Sequence, residues 1–188
     1  LDIKEAIGMC DENTICIVPI MGVTWTGMND DVEALNDALE TYNAKIGHNI
    51  PIHIDAASRG FILPFLFPEK KWDFRLKWVY SISTSGHKYG LVYPGLGWVI
   101  WRDKAYLPDY MSFSVNYLGA NISQVGLNFS RPAAQILGQY YNFIHLGFEG
   151  YKDIHTNSMD IAAYCHKASA KIHCFENYSE KLENPLFI

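Results

Sequence analysis

An apolar run, Thr14 to Met21, is followed by an amphipathic stretch, Val32 to Ile46, and then by a second β-leaning run, Pro51-Ile52-His53-Ile54-Asp55. Strand, helix, strand in that order is the unit from which parallel sheets are built. The first run is apolar almost throughout, as a strand buried on both faces should be. Gly22 to Gly27 reads as the loop after it. Asp30 and Asp31 stand where they can cap the helix, whose apolar face carries Val32, Leu35, Leu39 and Tyr42 or Ala38. Upstream, Ile3, Ala6, Ile7 and Cys10 share one face of a helix within Asp2 to Asp11.

A third run, Trp78-Val79-Tyr80-Ser81-Ile82-Ser83-Thr84, ends in the Gly-bracketed turn Ser85-Gly86-His87-Lys88-Tyr89-Gly90. A lysine just past a buried strand is held over a site while its amine stays accessible. Lost solvation would lower its pKa and free the lone pair to attack a carbonyl. That chemistry suits a Schiff-base lysine for pyridoxal phosphate, whereas a lone loop lysine is read as solvated. Asp55 ends the second strand and precedes the small residues Ala56-Ala57-Ser58. Pyridoxal chemistry needs a carboxylate at the ring nitrogen, because a protonated pyridinium withdraws electrons far better than a neutral pyridine. Taken alone, Asp55 is equally a turn or N-cap carboxylate. Open α/β sheets bind ligands beyond the carboxyl ends of their strands, where Thr24, Asp55 and Lys88 all fall.

Four blocks in order carry a resemblance: His53-Ile54-Asp55-Ala56-Ala57-Ser58, Trp72-Asp73-Phe74-Arg75-Leu76, Ser85-Gly86-His87-Lys88-Tyr89-Gly90-Leu91, and Gly97-Trp98-Val99-Ile100-Trp101-Arg102. Together they resemble glutamate decarboxylase of the bacterial, plant and fungal type, from about Asp11 to Tyr151. The resemblance implies a pyridoxal-phosphate enzyme of the aminotransferase-like α/β fold (fold type I) with a mainly parallel sheet. The implied reaction is α-decarboxylation of L-glutamate to 4-aminobutyrate. Alternatives from the same residues are a related amino-acid decarboxylase with another substrate, or a catalytically silent piece with a structural or binding role.

The resemblance also implies roles. Lys88 would hold the cofactor, and Asp55 would face its ring nitrogen. Thr24 would bond the phenolic oxygen, and Ala57 would pack against the pyridine face. His87 would contact the phosphate. Ser130, in Asn128-Phe129-Ser130-Arg131-Pro132, would serve the cofactor of a neighbouring subunit, and it also reads as an N-cap. Tyr117, in a loop from Asp103 to Asn128, would help protonate Cα. Arg59 departs from the pattern, which has small residues at this turn; it would either perturb the turn or point to water.

The remaining chain reads as an aromatic- and proline-rich connection from Phe61 to Arg75, a return strand from Gly95 to Trp101, a helix from about Arg131 to Leu146, and a second from about Glu149 to Lys171. Gly147 and Gly150 separate the two helices, and Pro132 suits the first turn of the former. Residues 1–150 are expected to form part of the cofactor domain, with 151–188 leading into a smaller C-terminal domain. Asn184 to Ile188 reads as an incoming strand. The start at Leu1 and the abrupt end suggest a fragment, and the resemblance implies that the residues of the substrate side-chain pocket largely lie before Leu1.

Composition narrows the classes. A formal net charge of −5 leaves no basic footprint for nucleic acid. No apolar run approaches the ~20 residues that span a bilayer. Cys10, Cys16, Cys165 and Cys174 lack metal spacing, and Cys165-His166 with His173-Cys174 fits no common zinc finger. The expectation is a cytoplasmic protein, without metal, that forms a homodimer or higher homo-oligomer.

Overall fold

The computed structural model describes residues 1–117, 120–124, 130–178 and 182–186. Its main sheet holds β1 (Ile52–Asp55), β2 (Val79–Ser85) and β3 (Gly97–Trp101), in that order. β1 and β2 are parallel, with Asp55 opposite Ser83. β3 returns antiparallel to β2, with Ser85 opposite Gly97. The sheet is therefore mixed, as a short return without a crossover helix requires.

On the other side of β1, residues 15–21 run parallel to it through bridges at Ile17–Ile52 and Ile20–Asp55. They do not form the regular buried strand expected of them. Pro19 has no N–H for a ladder, so pairing is intermittent. Only one side is covered: Ile17 and Met21 are buried, while Ile15, Val18 and Ile20 are exposed.

Helix α1 (Ile3–Gly8) turns Ile3, Ile7 and the following Cys10 onto the core. Helix α2 (Val32–Ile46) starts where its cap dictates: the Asp31 carboxylate accepts the Ala34 N–H at 3.0 Å. Such a cap contributes about 1 kcal/mol. The helix ends at Gly47, whose φ of 71° is left-handed backbone that glycine adopts at little cost. Val32, Leu35 and Leu39 are buried against Ile52, Ile54, Val79 and Ile82. Each such side chain contributes about 1.5–3 kcal/mol by leaving water.

Two asparagines interrupt the apolar face of α2, and both are satisfied. The Asn43 side chain exchanges two hydrogen bonds with the Ile50 backbone, at 3.0 and 3.1 Å. Asn36 accepts the Trp78 N–H at 3.0 Å. These bonds fix the entries to β1 and β2, and an apolar replacement would strand the backbone groups.

The connection after β1 contains a 3₁₀ turn at Arg59–Phe61 and the short helix α3 (Leu63–Leu66). Strands β4 (Phe113–Tyr117) and β5 (Ala120–Gln124) pair antiparallel, where a loop was expected. Helix α4 (Ala134–Ser169) consists of two helical stretches that meet at Gly147, whose φ of 58° and ψ of −163° are non-helical. Phe61 and Phe65 pack against Phe143, Phe148 and Tyr151 of α4, with ring centroids 5.1–6.2 Å apart. Residues 182–186 form no strand, contrary to expectation. Asn184 is instead buried and donates to the Gly27 carbonyl. Among the described residues, no helix is long and apolar enough to cross a membrane.

Candidate active site

Three backbone elements end at the same edge of the sheet. Residues 15–21, β1 and β2 are mutually parallel, so Thr24, Asp55 and Lys88 follow three adjacent carboxyl ends. The Met21 N–H bonds the Asp55 carbonyl at 2.8 Å, the Ala56 N–H bonds Ser83, and the Ser85 N–H bonds Ala57. The three ends are thus tied together by backbone alone.

Asp55 is half-buried, and its Oδ1 accepts the Ala57 N–H at 3.0 Å. Its turn-forming role is therefore real, and it holds the carboxylate at the strand end. Ala56 is fully buried and Ala57 half-buried. Lys88 lies in the turn 86–90, and its Nζ is 3.3 Å from Ser58 Oγ. Lys88 is exposed, so the desolvation expected of it is not supplied by the packing of the described residues. His87 is exposed as well, with Nδ1 3.4 Å from the Leu96 carbonyl. Thr24 is exposed in the turn 24–26, whereas the neighbouring Thr26 hydroxyl accepts the Met28 N–H at 3.3 Å.

The turn that carries Lys88 is gripped from α4. Gln139 Nε2 donates to the Gly90 carbonyl at 2.8 Å and approaches the Tyr151 hydroxyl at 2.8 Å. The Tyr151 hydroxyl donates to the same Gly90 carbonyl at 3.0 Å. Gln139 and Tyr151 are almost fully buried, which pushes the Tyr151 phenol upward from its ordinary value. A Cβ on Gly90 would stand 2.5 Å from the Gly86 carbonyl oxygen, so Gly90 requires glycine for space, and one on Gly86 would press on Gln139 Oε1 at 2.7 Å and on Leu96 at 3.1 Å. His155 packs beside this cluster, 5.8 Å from the Tyr151 ring and 6.0 Å from the Tyr89 ring. Burial pulls its pKa down, opposed by the Phe61 and Tyr89 backbone, although neither ring nitrogen makes a hydrogen bond of normal geometry. Ser58 was read only as one of the small residues after Asp55, and Gln139, Tyr151 and His155 were given no role in the sequence. The Gly-x-x-x-Gly spacing of 86–90 was the one local signal that a neighbour presses on this turn.

Two expectations are corrected. Ser130 is not an N-cap: α4 begins at Ala134, its cap position is Ala133, and no side chain caps it. Pro132 disfavours helical backbone at Arg131, which separates Ser130 from the helix. Arg59 does not point to water, being 2% exposed. Its guanidinium carbon lies 5.1 Å from the Phe67 ring centroid. Burial pushes its pKa down to about 10, against the opposing influence of Glu183 and Tyr89. Tyr117 ends β4, and its side chain lies outside the described residues.

The pyridoxal-dependent decarboxylase conserved domain matches residues 1–186. The chain belongs to the pyridoxal-dependent decarboxylase family. It is 50% identical over 186 residues to a glutamate decarboxylase beta of Listeria innocua, covering 99% of this chain and 40% of that protein. It is 57% identical over 162 residues to glutamate decarboxylase 5 of Arabidopsis thaliana, covering 86% and 33%. Among solved structures, a Lactobacillus brevis glutamate decarboxylase superimposes with a TM-score of 0.94 at 49% identity, over all of this chain and 42% of that one. A sphingosine-1-phosphate lyase of Burkholderia pseudomallei, 24% identical with a TM-score of 0.76, shares the fold. The chain spans about two fifths of the length of the curated relatives.

The residues at the sheet edge fit the cofactor of the pyridoxal-dependent decarboxylase family. They offer an accessible primary amine, a carboxylate fixed by its own turn, hydroxyls and an imidazole, beside a floor of small side chains. This donor set matches an aldehyde, a basic ring nitrogen, a phenolic oxygen and a phosphate.

Proposed function

We propose that the protein carrying this chain decarboxylates L-glutamate at Cα to 4-aminobutyrate and carbon dioxide, using pyridoxal phosphate held by Lys88. The convergence of Asp55 and Lys88 at adjacent parallel strand ends is the observation that carries this reading. Bound pyridoxal phosphate supplies an electron sink for the charge left at Cα when carbon dioxide departs. The chain's own residues make that sink work. Lys88 offers its amine for attachment. Asp55 holds a proton at the ring nitrogen, an interaction that matters most in the transition state. Thr24 orients the phenolic oxygen, Ala57 leaves room for the ring face, and His87 meets the phosphate. Ser130 reaches the cofactor of a partner subunit, and the Tyr117 hydroxyl delivers a proton to Cα.

The assembly is a homodimer or higher homo-oligomer in the cytoplasm. Exposed Ile136, Leu137, Tyr140, Tyr141 and Ile144 on α4 support an apolar contact of that kind. Residues 1–150 belong to the cofactor domain, and 151–188 lead into a smaller one. Relatives of about 50% identity that bear the glutamate decarboxylase name support the choice of substrate. The test is carbon dioxide release by the whole protein from a panel of amino acids. Release from L-glutamate, with 4-aminobutyrate in equal amount, is expected. Preference for another amino acid would replace the substrate and keep the chemistry.

A further inference from the structure

Arg59 is the most unusual residue beside the site. It is 2% exposed, and its Nε and Nη1 are buried without a hydrogen-bond partner. Burying a guanidinium costs several kcal/mol unless charge and hydrogen bonds offset it. Such a group is tolerated where an opposite charge faces it.

The surroundings show what it faces. Arg59 converges with Ser58 and Asn184 on Gly22: a Cβ there would stand 3.0 Å from Arg59 Cγ, 3.1 Å from Ser58 Cβ and 2.6 Å from Asn184 Nδ2. Gly22 opens the loop 22–29, which is closed internally by the Val23 N–H to Met28 bond at 2.9 Å and the Gly27 N–H to Val23 bond at 2.7 Å. Thr24 sits at its tip. The same loop is clasped by the far end of the chain. Glu183 Oε2 accepts from the Asn29 N–H at 3.1 Å and from the Asn29 side chain, and Asn184 Nδ2 donates to the Gly27 carbonyl at 3.2 Å. Glu183 is next in sequence to the Asn184 that meets Arg59 over Gly22, and its charge acts on Arg59 from there without a direct ion pair between the two.

We infer that Arg59 and Glu183 form an electrostatic latch that holds the loop 22–29 in place, and that Arg59 is thereby a positioning residue for Thr24 on one side and Ser58 on the other. Ser58 is adjacent in sequence and meets Lys88, so the latch touches both flanks of the site. A residue foreign to the glycine-like turn thus acquires a role through a segment more than a hundred positions away. The effect on the cofactor rests on the reading that Thr24 and Lys88 hold it; the effect on the loop does not.

The experiment uses the whole protein and three variants. Arg59→Met keeps the stem beside Gly22 but removes the charge and the guanidinium that lies over Phe67. Glu183→Gln removes the opposite charge, and Arg59→Lys keeps a cation. Two quantities are read: hydrogen exchange of the Asn29 amide without cofactor, and the dissociation constant for pyridoxal phosphate. Arg59→Met and Glu183→Gln should each speed exchange about tenfold and weaken cofactor binding about tenfold, with Arg59→Lys between them and wild type. The double variant should be within about twofold of either single one, because both remove the same charge–charge interaction. A purely structural Arg59 would instead lower Tm in Arg59→Met and leave Asn29 exchange unchanged, which overturns the latch. Multiplying effects in the double variant also overturn it. Faster exchange with unchanged cofactor affinity overturns the positioning role. Wild-type protein that binds no pyridoxal phosphate refutes the cofactor reading and with it the positioning role, while the exchange data still decide the latch.

Discussion

Lys88 and Ser58 lie on different strand-end turns, yet Lys88 Nζ stands 3.3 Å from Ser58 Oγ across a separation of 30 residues. The contact exists because β1 and β2 are parallel neighbours whose chains turn away at the same edge. Ser58→Ala should leave the fold intact and weaken pyridoxal phosphate binding about fivefold, the equivalent of one hydrogen bond of about 1 kcal/mol. A spectrophotometric titration reads the change. Unaltered affinity would show that the contact does not help present the amine.

Asp55→Asn keeps the shape and the turn bond to Ala57, because the amide oxygen can still accept. The charge is lost. Turnover by the whole protein should fall about 10²–10³-fold, in kcat rather than KM, since the interaction is strongest in the transition state. Steady-state kinetics with an unchanged Tm would isolate the effect. A kcat near wild type would remove Asp55 from the site.

Gln139 and Tyr151 share one acceptor, the Gly90 carbonyl. Tyr151→Phe and Gln139→Leu each delete two buried hydrogen bonds, one of them the bond between the two side chains, and each should cost about 1–3 kcal/mol. The double variant should cost less than the sum, because both act on the same carbonyl. Denaturant unfolding checks the stabilities, and strict additivity would show that the two side chains act separately.

Elements carrying their own local signals are legible in the chain. Helix α2 spans the residues its pattern marks because Asp31 caps it and Gly47 ends it. The break at Gly147 was readable from its glycine. The edge that gathers Thr24, Asp55 and Lys88 follows from the strand–helix–strand order. Partners from distant elements were not legible. Gln139, Tyr151 and His155 are unremarkable within an amphipathic helix, and only tertiary packing places them under the Lys88 turn. Pro19 turned an apolar run into an intermittently bridged edge. The pairing of β4 with β5 was hidden by mixed polarity. Arg59 read as either a disturbance of the turn or a charge in water, because nothing nearby in sequence announces Glu183.

His155 provides a pH test. Its folded pKa is depressed by burial below the ordinary 6.5, so between those values the unfolded chain binds the proton and the folded one does not. Its contribution to stability is therefore present above about pH 6.5 and lost as pH falls toward the folded value. His53 is shifted in the same direction by its burial, with Asp55 opposing. Tm should fall on acidification from pH 7 to 5, and His155→Gln should flatten that slope. An identical slope in the variant would show that His155 does not titrate on unfolding.

The central claim is that Lys88 is the residue to which the cofactor attaches. Borohydride reduction of the whole protein loaded with pyridoxal phosphate, followed by peptide mapping, tests it most directly. The pyridoxyl group should appear on Lys88 and be lost from that peptide in Lys88→Ala. A label on any other lysine of the native protein would contradict the account.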